Sequence, residues 1–239
     1  MATSPNVEAH LASGPAAQPF PGCADHCALR SEADHRVANH LAMLSSYIRL
    51  KAAEFDHPAG PPSRGAAQLF AQSLDGQVRA IARTHRLLIS GQPDGPLSLA
   101  NLLHEICAPF VSGMDRRIAL VEDVATDCFT QAAQIMPISQ IVSEAITNAV
   151  KYAFPRGRTG IILVTCRRSA GDRLRIAIID NGVGLPNGFD PDRDGGFGLH
   201  LMRGLSKGMR APIAFNMDGH GLEVALDLPL AEADPVAAA

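Results

Sequence analysis

The 239-residue chain lacks several features that would assign it to a common class of protein. Its 21 basic and 24 acidic residues give a net charge of −3, so it has no broad cationic surface for nucleic acid. No apolar run approaches the roughly 18 residues that span a bilayer, and no Lys or Arg precedes Arg30 to begin a secretory leader. We therefore expect a cytoplasmic protein with no nucleic-acid partner and no membrane segment.

Cysteine is scarce as well, and its five positions are scattered. An odd number of dispersed thiols favours reduced cysteines over a disulfide framework. Cys23, His26 and Cys27 form the one cluster, but no second pair of ligands follows it in the sequence. The cluster is therefore more typical of a polar N-terminal segment than of a zinc site.

Apolar periodicity divides the chain into segments. Residues 1–27 and 231–239 lack a sustained pattern, and we expect them to be disordered tails. Residues 28–91 carry two helical seams separated by a Pro- and Gly-rich break at 57–63, which predicts an antiparallel helical hairpin. The seam positions are Val37, Leu41, Leu44, Ile48, Leu74, Val78, Ile81, His85 and Leu88. This stripe needs a covering element or a second copy of itself, and a dimeric four-helix bundle is the natural solution.

Residues 97–230 alternate between helical and strand patterns. Helices are expected at 97–109, 137–153 and 197–209, and strands at 117–124, 161–167, 174–180, 214–217 and 222–228. We expect an α+β fold, a sandwich with helices on one face of a mixed, mainly antiparallel sheet.

Three polar positions stand out on the helix expected at 137–153. Glu144, Asn148 and Lys151 follow a spacing of four and three residues, which places an acid, an amide and a cation on one stripe. Such a stripe can bind a magnesium ion and a phosphate. Taken alone, it is more typical of an exposed helix face that carries a Glu-to-Lys pair.

Two glycine-rich elements follow in the sequence. The strand expected at 174–180 ends in Asp180, Gly182 and Gly184, and an ionised Asp180 would accept from the exocyclic amine of adenine. Gly196 and Gly198 then open a helix whose N-terminal amides favour phosphate oxygens. Neither a Walker lysine loop nor a Rossmann glycine fingerprint occurs in the sequence, so the common nucleotide folds are unlikely.

The order of these motifs resembles the ATP-binding domain shared by histidine kinases, gyrase-type topoisomerases, MutL and heat-shock chaperones. Glu144-x-x-x-Asn148-Ala-x-Lys151-Tyr152 is similar to their N box, and the two glycine elements are similar to their glycine boxes. The resemblance implies that ATP and Mg²⁺ are bound, with Asn148 as the Mg²⁺ ligand and Asp180 reading adenine. It also implies that Lys151 and Tyr152 contact the nucleotide and that residues 185–195 form a short lid.

The first helix of the hairpin carries a histidine in a polar context. Glu32, His35 and Asn39 lie on one strip that faces away from the apolar seam. This E-x-x-H-R-x-x-N pattern resembles the H box of the HWE and related histidine kinases, which implies that His35 is the phosphoacceptor. An imidazole with a pKa near 6.5 is mostly neutral at pH 7, and a carboxylate such as Glu32 can orient it. We count Glu32, Asn39 and Glu144 as the catalytic candidates.

We therefore predict an ATP-dependent histidine kinase, homodimeric through the hairpin, that phosphorylates His35 and passes the phosphoryl group to the receiver domain of a response regulator. No sensor pattern is visible, so a separate sensor protein could supply the input. Two departures from the family pattern are Asp34, where the family has a second His, and Gly219-His220-Gly221-Leu222, where it has a Gly-Thr pair. Two alternatives stay open: a phosphotransferase or scaffold that does not use ATP, and an anti-sigma-factor serine kinase.

Overall fold

The computed structural model describes residues 37–49, 52–53, 63–89 and 97–229, apart from positions 187, 192 and 218. The predictions for both tails, for the Cys23, His26 and Cys27 cluster, and for Glu32 and His35 lie outside the described residues. Within the described ranges, no helix is both long and apolar enough to cross a membrane.

The predicted hairpin consists of helix α1 at residues 37–49 and helix α2 at Arg64–Ile89. Ser63 begins α2, because its Oγ accepts from the backbone N–H of Ala66 at 3.2 Å. The ring of Tyr47, late in α1, lies 6.1 Å from the ring of Phe70, early in α2. This contact joins the end of one helix to the beginning of the next, as in the predicted antiparallel hairpin.

The C-terminal part is an α+β unit built on a five-stranded sheet, as the sequence predicted. The sheet has the strand order β2, β4, β5, β7, β6, with β2 parallel to β4 and the other neighbours antiparallel. Its strands are β2 Ile118–Val124, β4 Gly160–Ser169, β5 Arg173–Asp180, β6 Ile213–Asn216 and β7 Leu222–Pro229. A second, two-stranded sheet pairs β1 Leu97–Ser98 with β3 Phe129–Thr130. The sequence did not reveal this pair, because two residues are too few to show a period.

Three helices contribute to the core against the sheet. They are α3 Leu99–Gly113, α4 Ile135–Asn148 and α5 Phe197–Gly208. Alternation along β5 places Leu174, Ile176 and Ile178 in this core with Phe110 and Ile138. The thiols of Cys107, Cys128 and Cys166 are also buried and unpaired, and burial raises the pKa of each of them.

The hairpin packs on the α+β unit rather than standing apart from it. Helix α2 contacts α3 and α4 of the same chain. Leu44, Tyr47 and Ile81 form a cluster with Met136 of α4. The chain itself therefore covers the seam at Leu44 and Ile81, which is one of the two ways of covering it that the sequence allowed. Exposed apolar side chains remain on the hairpin at Leu41, Ile48 and Val78. The dimeric bundle stays a prediction.

Candidate functional site

Asp180 lies at the end of the central strand β5 and is 6% exposed. Its Oδ1 atom accepts from the backbone N–H of Gly182 at 2.9 Å and from that of Leu222 at 3.4 Å. Both backbone donors bind Oδ1, and no hydrogen bond among the described residues engages the other oxygen, Oδ2. Burial raises the pKa of Asp180, and the two N–H donors act in the opposite direction. This arrangement suits a carboxylate that accepts from an amine such as that of adenine.

The glycines beside Asp180 allow close backbone packing within the protein. A Cβ at Gly182 would overlap the carbonyl of Ala153, and a Cβ at Gly221 would overlap the carbonyl of Asp180. Gly221 also has φ 144°, a conformation that other residues rarely adopt. Leu222, the next residue, donates its backbone N–H to Asp180. This is the point where the sequence departs from the Gly-Thr pattern.

Asn181 holds the same loop in place through its side chain. Its Oδ1 accepts from the backbone N–H of Ile161 on β4 at 2.8 Å, and its carbonyl accepts from Arg158 at 3.2 Å. The sequence analysis assigned no role to Asn181, because only the paired strand shows which backbone N–H the side chain reaches.

The helix that carries Asn148 widens directly after that residue. Helix α4 ends at Asn148, and a π-helical turn, Ala149–Ala153, follows it. Such turns are frequent at functional sites. The turn leaves Lys151 and Tyr152 exposed, with Tyr152 at 69%. The N–H of Val183 donates to the carbonyl of Ala153 at 3.0 Å, which ties this turn to the Asp180 loop.

Glu144 does not share an exposed stripe with Asn148 and Lys151, so that prediction is corrected. It is 2% exposed, and every residue from Ile135 to Thr147 on α4 is buried. The side chain lies between the hairpin and α5, where Oε2 accepts from the hydroxyl of Tyr47 at 3.3 Å. Its other oxygen, Oε1, lies where a Cβ at Gly198 would be, which explains the glycine at that position.

Gly196 differs from Gly198 in its surroundings. It caps the N-terminus of α5, and a Cβ built on it would meet no atom within 4 Å. Packing among the described residues therefore does not require glycine at 196, and open space lies beside the first amides of α5. A phosphate can approach such a helix N-terminus closely.

The segment before α5 folds on itself in its described part. The backbone N–H of Asp190 donates to the carboxylate of Asp194 at 2.8 Å, and Arg193 lies 3.3 Å from the carboxylate of Asp190. These contacts give Asp190 and Asp194 partners within the segment.

On the hairpin, Asn39 is exposed on α1 and His40 is buried. The described part of α1 thus presents Asn39 to solvent, as the sequence predicted. Sequence reasoning missed Tyr47, Ser73, Gln77 and Gln140, which are buried where the hairpin meets α4. The sequence feature that could have identified them is that polar residues interrupt the apolar seams at helical spacing.

Two family profiles match the chain in the predicted order. Residues 32–113 match the family described as histidine kinase. Residues 133–232 match the family of histidine kinase-, DNA gyrase B- and HSP90-like ATPases.

Individual relatives agree with these profiles. The blue-light-activated histidine kinase 2 of Erythrobacter litoralis is 30% identical over 84% of this chain and 57% of its own length. The sensor histidine kinase PdtaS of Mycobacterium tuberculosis is 29% identical over 73% of this chain and 33% of its own. The chain thus spans only part of these relatives.

A solved structure supports the same relationship. The histidine kinase domain of the Erythrobacter litoralis EL346 blue-light-activated histidine kinase has a TM-score of 0.61 and 25% identity, covering 88% of this chain and 97% of that domain. Together with the matched profiles and the site geometry, this shows that the chain belongs to the histidine kinases of the HWE type, with a C-terminal ATP-binding domain.

Proposed function

We propose that the protein transfers the γ-phosphoryl group of Mg-ATP to His35 and then to an aspartate in the receiver domain of a response regulator. The observation that carries this proposal is Asp180, a buried carboxylate whose Oδ1 is engaged by two backbone N–H groups. It leaves Oδ2 for an adenine amine beside the turn that carries Lys151 and Tyr152. Histidine kinase domains generally dimerise and signal to response regulators, which supports the second half of the proposal.

The residues around Asp180 fit the binding of ATP. Asn148 offers a neutral amide oxygen at the end of α4, and Lys151 offers an exposed ammonium one turn later. Amide oxygens are suitable ligands for Mg²⁺, and an ammonium pairs with phosphate. Bound Mg²⁺ would neutralise charge on the phosphates. Gly196 would let a phosphate approach the first amides of α5, while Gly182 and Gly184 shape the loop beside the base.

The acceptor chemistry is assigned to the hairpin. A neutral His35 nitrogen would attack the γ-phosphorus as the bond to the bridging oxygen of ADP breaks. Glu32 would accept from the other ring nitrogen and stabilise the positive charge that develops. Asn39 would lie on the same strip of the helix, one turn further along. Glu144 acts from within the interface, where it contacts Tyr47 and Gly198.

The boundaries and partners of the proposed kinase follow from the same organisation. Residues 28–91 would form the dimerisation and phosphotransfer hairpin, and residues 97–230 the ATP-binding domain. The exposed side chains of Leu41, Ile48 and Val78 would form the dimer contact. A separate sensor protein would supply the input.

Labelling with γ-labelled ATP tests the proposal directly. Wild-type protein, His35→Gln and Asn148→Ala are incubated with Mg²⁺ and labelled ATP, and the product is treated with acid and alkali. We expect an acid-labile, alkali-stable label that both substitutions abolish. Label on His35→Gln would contradict the acceptor assignment, and acid-stable label would indicate a serine kinase. Absence of Mg²⁺-dependent ATP binding would instead indicate a phosphotransferase that does not use ATP.

A further inference from the structure

The contact between the hairpin and α4 contains a buried hydroxyl that apolar packing does not require. Tyr47 is 2% exposed, and its ring packs near Phe70. A phenylalanine would fill the same space, so the hydroxyl must be explained by its polar contacts. Among the described residues, these contacts include Glu144 Oε2 at 3.3 Å and Ser73 Oγ at 3.4 Å. A buried phenol generally keeps such partners.

Glu144 links this hydroxyl to the nucleotide site. One carboxylate oxygen accepts from Tyr47, and the other abuts Gly198 in the first turn of α5. Glu144 is also one helical turn before Asn148 on α4. The carboxylate therefore lies between the helix that leads back to the phosphoacceptor position and the helix end proposed to hold phosphate.

A second contact joins the same elements. Leu201 of α5 packs against the cluster that contains Leu44, Tyr47 and Met136. The cluster thus joins α1, α4 and α5, and Tyr47 adds a hydrogen bond to its apolar packing. Apolar packing alone tolerates small shifts, whereas a hydrogen bond to a carboxylate has a defined distance and direction.

We propose that Tyr47 is a positioning residue: its hydroxyl holds Glu144 against the first turn of α5 and so fixes the orientation of α1 relative to the nucleotide site. This inference rests on the proposed function for its kinetic consequence. Loss of the hydroxyl leaves the ring and the ATP-contacting side chains in place. It should therefore slow phosphoryl transfer without weakening ATP binding.

The test compares Tyr47→Phe with Ser73→Ala in the full chain. Ser73→Ala is the matched control, because it also removes a buried hydroxyl beside Tyr47 but keeps the bond to Glu144. Autophosphorylation is measured over a range of ATP concentrations, and ATP binding is measured by calorimetry. We expect Tyr47→Phe to lower kcat about tenfold with the Kd for ATP within about twofold of wild type. Ser73→Ala should keep kcat within about twofold of wild type.

A double-mutant cycle with Glu144→Leu, which removes both carboxylate oxygens, shows whether Tyr47 acts through Glu144. The free energy of unfolding is measured by urea denaturation for wild type, both single variants and the double variant. This measurement does not require kinase activity. The double variant should lose clearly less stability than the two single losses added together.

Three results would overturn the inference: an unchanged kcat in Tyr47→Phe, an equal loss of kcat in Ser73→Ala, or additive effects in the cycle. If wild type becomes labelled on His35 and Tyr47→Phe becomes labelled equally well, the positioning role is refuted and the proposed function is not. A wild-type protein that never becomes labelled would refute the proposed function, and the unfolding cycle would still decide whether Tyr47 and Glu144 are coupled.

Discussion

Asp180→Asn should separate nucleotide binding from folding stability. The carboxylate is 6% exposed, and its Oδ1 already accepts two backbone N–H groups. Asparagine can keep those two bonds through its own oxygen, but its NH₂ group then points where the carboxylate offered Oδ2. A donor would face the amine of adenine, and one hydrogen bond to a charged group would be lost.

The size of the effect follows from that single bond. A hydrogen bond to a charged group contributes about 1.5–3 kcal/mol. Since about 1.4 kcal/mol corresponds to a tenfold change in affinity, ATP should bind about 10- to 150-fold more weakly. The free energy of unfolding of Asp180→Asn should rise or stay the same. Burial raises the pKa of Asp180, which means that the ionised form is disfavoured in the folded state, and asparagine removes that charge.

Calorimetry with a non-hydrolysable ATP analogue and urea denaturation measure the two effects. Asp172→Asn is the control, because Asp172 is exposed in the turn between β4 and β5 and has φ 50°, a conformation that asparagine tolerates. It should leave both affinity and stability unchanged. Two results would refute the proposal that Asp180 binds the adenine base. One is an ATP affinity of Asp180→Asn within threefold of wild type, and the other is a clear loss of stability.

The pH dependence supplies an independent check on the same residue. The pKa of Asp180 in the folded protein lies above the ordinary value of 3.8, so folding favours the protonated acid. The resulting stability is fully present below the ordinary pKa and is lost as pH rises through the folded pKa. The proposed role of Asp180 requires the ionised carboxylate, so the affinity for ATP should fall as pH is lowered towards the raised pKa. Asp180→Asn should abolish this pH dependence, and its persistence would assign it to another group.

Three further predictions concern other parts of the molecule. Gly221→Ala should lower the free energy of unfolding by about 1–3 kcal/mol or more, because Gly221 has a φ of 144° and a Cβ there would overlap Asp180. Gly196→Ala should unfold like wild type and bind ATP more weakly. Urea denaturation and calorimetry check both variants, and equal stabilities of the two would contradict the prediction. Gln140→Leu should raise the unfolding midpoint in the same assay, because Gln140 is buried and its Nε2 has no partner among the described residues; a lower midpoint would contradict this. Val78→Asp should convert a dimer to a monomer in light scattering and leave ATP affinity unchanged, since Val78 is 50% exposed on the hairpin; an unchanged mass for a dimeric wild type would exclude Val78 from the interface.

Much of the fold and the order of the motifs could be predicted from local sequence patterns. Alternation along the strand that ends in Asp180 identifies β5 without knowledge of its neighbours, and the structure places that strand at Arg173–Asp180. Gly171 and Asp172 lie in the turn between β4 and β5, and both adopt positive φ. These features depend on residues close together in the chain, and such residues leave a periodic or conformational signal.

The position of Glu144 could not be predicted in this way. Helical periodicity assigned it to an exposed strip, because Glu is polar and the opposite side of α4 is apolar. The hairpin covers that strip, so α4 is buried on all sides from Ile135 to Thr147. A polar stripe on a helix does not reveal whether solvent or a second polar surface lies opposite it.

The sequence by itself determined the family pattern, the five strands of the main sheet, the helical hairpin and the identity of the adenine-reading candidate, since each has a local signature. Only the tertiary structure decided that the hairpin packs on α4, that Tyr47 donates to Glu144, and that Gly198 leaves room for that carboxylate. The physical reason is that Tyr47 and Glu144 are far apart in the chain. No local period connects them, and the packing of the hairpin on the ATP-binding domain brings them together.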